Sequence, residues 1–260
     1  MLKKRIIGLI PIFNNLVVQS FEFKKKLPLG NPEIFVENLD RWGADEIVII
    51  DFSATVNKKK PNFDLIKKIG RKFKSTPITY GGGVSNYKDA VKIINLGFER
   101  ILLDNLYINN LSEMVKISEH IGAQAIILSL PLNFENNEIY HYDYLNNKKS
   151  LLDYEMLHEY KNSFSEVLVI DYKNEGYKNS FDIKILKKLT KTINNIPILA
   201  FGGISETQQI KKILTFKSVQ GVCIGNSLNY QENTIQKHKE YLTKNNNNLF
   251  RRPFYKKILM

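Results

Sequence analysis

The chain matches itself at an offset of 120 residues, and the matches fall in order on the same kinds of segment. Ile10-Pro11 returns as Leu130-Pro131. Ile47-Val48-Ile49-Ile50-Asp51 returns as Val167-Leu168-Val169-Ile170-Asp171, each run preceded by a glutamate, Glu46 and Glu166. Pro77-Ile78 returns as Pro197-Ile198, and Gly82-Gly83-Val84-Ser85 as Gly202-Gly203-Ile204-Ser205. Asp104-Asn105 returns, with a slip of one, as Gly225-Asn226. Solenoid repeats run only roughly 20–50 residues, so this period points to two copies of one half-structure.

Each half holds four apolar runs of strand length. In chain order these are Ile6–Ile10, Ile47–Asp51, Ile78–Tyr80, Ile101–Leu103, Ala125–Leu130, Val167–Asp171, Ile198–Phe201 and Val222–Ile224. They are too continuously apolar for one-faced strands and fit strands buried on both faces of a parallel sheet. Helical stretches are predicted between them at 31–42, 62–73, 86–96, 110–121, 151–161, 182–193, 206–215 and 232–244. In the third, Ala90, Ile93 and Ile94 share one side of a 3.6-residue period. Ser205 and Gln208 have the spacing of a capping box. Eight β-α units in roughly 250 residues make a (β/α)₈ TIM barrel, here with an internal two-fold, half-barrel repeat. Residues 1–245 are read as one barrel and 246–260 as a basic C-terminal tail.

Composition narrows the function classes. The net charge is +12, but the lysines are scattered and no aromatic-studded basic motif accompanies them. Nucleic acid is therefore not the expected partner, and attraction of acidic or phosphorylated small molecules is. No run is long and apolar enough for a membrane span, and no signal peptide is read at the start. The single cysteine, Cys223, falls in the eighth strand and reads as a core residue. With no disulfide framework, the cytoplasm is the expected compartment. The four histidines lack metal-ligand spacing. His120, His158 and His238 read as helix-surface residues, and neither a metal nor a cofactor is expected.

Function on such a barrel sits in the loops after the strands. Gly82 and Gly83 follow the third strand, and Gly202 and Gly203 the seventh. The neighbouring loops carry Asp104 and Asn105, and Gly225 and Asn226. Glycine lets backbone amides approach an anion closely. The symmetric pair therefore reads as two phosphate sites on opposite sides of the mouth.

At this point several motifs resemble one family. They are Met1-Leu2-Lys3-Lys4-Arg5-Ile6-Ile7, Asp51-Phe52-Ser53-Ala54-Thr55-Val56, Tyr80-Gly81-Gly82-Gly83-Val84 and Ile121-Gly122-Ala123-Gln124-Ala125. In this order they resemble the cyclase subunit of imidazole glycerol phosphate synthase, over nearly the whole chain. The Asp-x-Ser-Ala-Thr run favours that subunit over the sister isomerase barrel. The resemblance implies a barrel with a glutaminase docked under its lower face, whose ammonia crosses the barrel to react above.

The departures lie where that chemistry would occur. The resemblance implies catalytic aspartates at the ends of the first and fifth strands, where this chain has Pro11 and Pro131, which cannot move a proton. An expected lysine is Gln19, an Asp-Gly is Glu175-Gly176, and a serine beside the seventh-strand glycines is Phe201. Asp51, Asp171 and Glu175 are read as structural or ligand-orienting groups. The resemblance further implies a gate of two basic and two acidic residues at the lower face, matched here by Arg5, Glu46, Arg100 and Glu166. The expected function is an ammonia-channelling subunit that lacks cyclase chemistry. It is similar to the paralogues that serve sugar amidotransferases in surface-glycan synthesis, with a glutaminase partner and a sugar amidotransferase or synthetase. The alternatives are the histidine-pathway cyclase itself, or a phosphate-binding regulator.

Overall fold

A computed structural model describes residues 3–73, 75–193, 195–246 and 250. Eight parallel strands close into a barrel: β1 (Arg5–Phe13), β4 (Glu46–Asp51), β5 (Ile78–Gly81), β6 (Arg100–Leu103), β7 (Ile126–Glu135), β10 (Glu166–Asp171), β11 (Ile198–Phe201) and β12 (Val219–Ile224). Closure is made by β12 pairing with β1 and β10 with β7. Helices α1 (Pro32–Arg41), α3 (Phe63–Lys72), α4 (Tyr87–Asn95), α6 (Leu111–Ile121), α7 (Tyr154–Glu159), α8 (Ile183–Thr192), α9 (Thr207–Leu214) and α10 (Thr234–Asn246) follow the strands in turn. Short helices α2 (Phe52–Val56) and α5 (Asn105–Asn109) occupy two upper loops. This is the (β/α)₈ barrel that the repeat predicts.

Helix starts are set by local chemistry. Asn31, Asn62, Asn86, Asn110, Asp153 and Asp182 each accept a hydrogen bond from a first-turn amide of the helix they precede. One predicted cap is different. The N-cap of α9 is Glu206, without a side-chain cap bond, and Gln209 rather than Gln208 accepts from the Ser205 N–H at 3.1 Å. Ser205 Oγ instead accepts from Asn179 N at 2.9 Å, so a neighbouring loop has taken the would-be cap.

The strands read as continuous apolar runs because they separate two cores. Outward residues such as Ile6, Ile47, Ile101 and Val167 pack under the helices. Inward residues Ile7, Leu9, Val48, Leu102, Leu168 and Leu199 fill the barrel, together with Cys223, which is fully buried. Register sets the inward layers: Ile7 lies beside Glu46, Leu9 beside Val48 and Pro11 beside Ile50. Across the barrel, Ile127 lies beside Glu166, Ser129 beside Leu168 and Pro131 beside Ile170.

Two hairpins that apolar periodicity did not disclose rise from the upper rim. β1 runs on past Ile10 and pairs with β2 (Leu16–Phe21), which pairs with β3 (Lys25–Gly30). β7 likewise runs on past Leu130 and pairs with β8 (Glu138–Asp143), which pairs with β9 (Lys148–Leu151). The turns are Asn14-Asn15 and Asn136-Asn137, with φ of 49° and 66°, and 50° and 62°. Paired positive φ is what a two-residue hairpin turn requires, and asparagine tolerates it. The duplication thus extends to the hairpins. Within the predicted tail, Phe250 is buried and bridges to Lys4; its other residues after Asn246 lie outside the described ones.

Candidate functional site at the two ends of the barrel

At the lower end the four charged residues at the strand starts meet. Arg5 donates to Glu46 at 3.0 Å and also to Glu166. Arg100 donates to both oxygens of Glu46, at 3.2 and 3.3 Å, and to Glu166 at 2.7 Å. Each guanidinium thus bridges both carboxylates, and the ring is closed. Thr79 Oγ1 donates to Glu46 at 2.7 Å, and Arg100 also reaches Ser165 Oγ at 2.8 Å. Arg5 and Glu46 are 2 % and 1 % exposed. Burial alone would lower the Arg5 pKa, but Glu166 and Glu46 outweigh it and hold the guanidinium above its ordinary value. Burial would likewise raise Glu166, but Arg5 and Arg100 hold it below the usual carboxylate range. Desolvating four charges is a poor route to stability, since apolar residues of similar volume do as well or better. Above the ring the interior is mostly apolar, with Leu9, Val48, Leu102, Leu168 and Leu199 and the one inward hydroxyl of Ser129 beside Leu168.

At the upper end the two glycine loops are equivalent in space. Gly82 and Gly202 have φ of 133° and 105°, and Gly83 and Gly203 have 68° and 74°. A Cβ on Gly82 would meet the Asp51 carbonyl oxygen at 2.2 Å, and one on Gly202 the Asp171 carbonyl oxygen at 2.4 Å. Loop packing alone therefore demands glycine at these places. Asp51 Oδ1 accepts from Ser53 Oγ at 2.7 Å and caps α2 through Ala54 N. Asp171 Oδ2 accepts from Asn174 Nδ2 at 2.8 Å and Asp182 N at 2.7 Å. Both aspartates brace their own loops.

The two cradles differ in charge. The one beside Gly82 and Gly83, about 410 Å³, also includes Asp104, Ser85 and three exposed lysines, Lys58, Lys59 and Lys60. That lysine triplet went unread as a site feature, although it is plain in the sequence right after the Asp-x-Ser-Ala-Thr run. Burial pushes the Asp104 carboxyl up to about 7, against a hydrogen bond from Tyr144. The side chain of Asn105 lies outside the described part of the structure. The second cradle, about 490 Å³, includes Gly203, Gly225, Asn226, Glu175 and Glu206. Here Asn226 is occupied by the first hairpin: its Nδ2 donates to Ser20 O at 2.6 Å and its Oδ1 accepts from Ser20 N at 3.3 Å. Gln19 donates to Tyr230 Oη on the same side. Phe201 is 5 % exposed and belongs to the interior core.

Between the cradles the mouth is roofed by aromatic rings. Phe23 meets Phe52 edge-on at 5.5 Å, and Tyr142 stacks on Tyr172 at 4.6 Å. Glu175 latches this roof: its Oε2 accepts from Ser20 Oγ and Phe23 N, both at 3.0 Å, while its carbonyl accepts from Glu22 N at 3.0 Å. Burial raises its carboxyl from 4.5 to about 7. Such an acid binds its proton more tightly in the folded chain, so its contribution to stability is full below about 4.5 and fades as pH rises through about 7. Glu175→Gln keeps an acceptor oxygen and removes this loss. Its melting temperature is expected to gain on wild type steadily from pH 5 to pH 8; a gap independent of pH would remove the carboxylate from this role.

His238, predicted on the surface, is 6 % exposed and packs against Thr207, with Oγ1 to Nδ1 at 2.7 Å. His120 and His158 are exposed as expected. Among the described residues no cluster of three or more His, Cys, Asp or Glu is placed to hold a metal. No described helix is long and apolar enough to cross a membrane.

Fold and ends together define a duplicated (β/α)₈ barrel with a charged lower closure and paired glycine loops above. The family model for histidine biosynthesis proteins matches residues 5–234, and the chain belongs to that family. Among its relatives, "Imidazole glycerol phosphate synthase subunit HisF" of an Exiguobacterium species is 26 % identical over 248 residues, covering 95 % of this chain and 96 % of the relative. The proteins of the same name from Staphylococcus saprophyticus and Bacillus subtilis are 28 % and 24 % identical, covering 92 % and 93 % of this chain and 96 % and 97 % of theirs.

Proposed function

We propose that this chain conducts ammonia from a glutaminase below the barrel to an acceptor system above it, without closing an imidazole ring itself. The observation that carries the reading is the ring of Arg5, Glu46, Arg100 and Glu166, closed on itself beneath a mostly apolar interior. Neutral ammonia tolerates an apolar bore; ammonium does not, because an unpaired charge there is costly. A charged closure that can swing open is thus a selective entrance. The relatives' name, a synthase subunit, supports a partnered role.

Loss of the cyclase step is supported by the groups at the inward upper positions. Pro11 and Pro131 have no ionisable atom, and Asp51, Asp171 and Glu175 are engaged in holding loops. The nearest analogy is the paralogue group that supplies ammonia for amidation or amidination of an N-acetyl sugar during surface-glycan synthesis. The histidine-pathway cyclase is the second reading, favoured by the names of the relatives.

Affinity capture with the full-length tagged chain tests the reading. A glutaminase subunit should copurify, and Glu46→Lys should lose it. Capture without a glutaminase, or capture indifferent to Glu46, would remove the conduit.

A further inference from the structure

We infer that ammonia leaves this barrel sideways, through the cavity under the β5 and β6 loops, and neither along the barrel axis nor past the β11 and β12 loops. This exit rests on the ammonia route proposed above and fixes where that route ends. The axis is closed from above. Phe23 and Tyr142, one from each hairpin, pack directly onto the interior core. Phe52 lies 5.5 Å from the first ring and Tyr172 4.6 Å from the second. An axial exit would have to part these rings.

The duplication shows which side is open. Gly81 lies beside the inward Leu102, and Ser129 beside the inward Leu168, so both occupy inward positions. At the offset of 120 residues Gly81 answers to Phe201, and Ser129 to Leu9. Phe201 and Leu9 both belong to the interior core. One half thus has a bare backbone and a hydroxymethyl group where the other has a phenyl ring and an isobutyl group. Interiors pack densely, so side chains this much smaller leave room on their own side. The room is there. Gly81, Leu102 and Ser129 all line the cavity of about 410 Å³ whose outer lip carries the exposed Lys58, Lys59 and Lys60. A single cavity therefore runs from the interior core to the outside. The matching cavity of the second half meets that core at the Phe201 ring. A smaller one under the first hairpin, about 250 Å³, meets it at Leu9.

Chemistry favours the same side. Ammonia in an apolar bore has given up its hydrogen bonds, which is costly until a polar partner restores them. Ser129 is such a partner above the charged ring. No side-chain hydrogen bond of Ser129 is seen among the described residues, and its hydroxyl is not one of the partnerless atoms sealed from solvent. A hydroxyl both donates and accepts, as ammonia does. Farther out, Asp104 and Tyr144 line the same cavity. The acceptor enzyme must then seat over the β5 and β6 loops, off the barrel axis.

Ser129→Cys on the full chain tests this, a change of one atom that leaves the packing nearly intact. Cys223, buried in the interior and the chain's single native cysteine, is the internal reference. Methyl methanethiosulfonate should modify the introduced thiol well before Cys223, followed by mass spectrometry of the digested protein. A thiol at position 129 that reacts no faster than Cys223 overturns the inference, because the cavity would then stop short of the interior. That measurement needs the chain alone and is independent of the ammonia route. In the reconstituted assembly, the methylthio cap added after folding should narrow the exit. Glutamine-dependent product formation should fall roughly tenfold, the scale of a misaligned reaction path, while glutamate release and product formation from added ammonium change little. Unchanged glutamine-dependent formation in the capped variant, alongside a loss in Glu46→Gln, keeps the conduit and overturns the sideways exit. No loss in either variant removes the conduit and this exit with it.

Discussion

Reversing one charge of the lower ring should uncouple glutamine from product while leaving added ammonium effective. Glu46 is the residue to change. It accepts from Arg5, Arg100 and Thr79 and is 1 % exposed. Glu46→Lys places a third cation among two guanidiniums, with Glu166 the one carboxylate left in the ring. Removing a partner from a buried ion pair costs roughly 3–5 kcal/mol, so the variant's folding is checked by its melting curve. Glu46→Gln is the milder companion, keeping volume and the acceptor for Thr79. In the reconstituted assembly, glutamine-dependent product formation should fall roughly tenfold to a hundredfold, the scale of a misaligned reaction path. Formation from ammonium, which can enter from above, should change far less. Equal loss with both nitrogen donors in the well-folded Gln variant would mean that the ring stabilises the barrel and gates nothing.

How far the sequence alone leads depends on the range of the interaction. The eight barrel strands were legible because each is buried on both faces, which writes an unbroken apolar run such as Ile47–Ile50. The lower ring was legible too, because strand starts have a fixed place in a barrel and the resemblance named them. The hairpins were missed because β2 and β3 are half exposed and irregular, although Asn14-Asn15 and Asn136-Asn137 marked their turns. Burial of His238 was not legible, since it depends on where α10 packs against Thr207. Nor was the work of Glu175, whose partners Ser20 and Phe23 are more than 150 residues away in sequence. The glycine pairs were seen, but their cause was only half seen. They are fixed by contact with the Asp51 and Asp171 backbones whatever anion the loops hold.

The second large effect is an absence of chemistry. Supplied with ammonium and the histidine-pathway intermediate, the wild-type chain should form no detectable imidazole glycerol phosphate, measured by chromatography. Using ammonium bypasses the glutaminase, so a missing partner cannot explain the result. General acid-base catalysis contributes about 10²–10⁴-fold, and both inward positions where the resemblance places such groups are proline. Pro11 sits beside Ile50 and Pro131 beside Ile170, on opposite sides of the barrel. Restoring one carboxylate as Pro11→Asp should do little, because groups that act as a unit do not contribute additively. Restoring both, as Pro11→Asp with Pro131→Asp, should give trace turnover at most. Both sites are buried, and desolvation would raise the new carboxyls out of balance with their task. Gln19, Glu175 and Phe201 would still surround the second cradle with a hydrogen-bonded hairpin, a carboxyl group and a ring in place of anion donors. Robust turnover by the wild-type chain would overturn the reading. Asp51, Asp171 or Glu175 would then have to leave the loop that it braces and carry the proton.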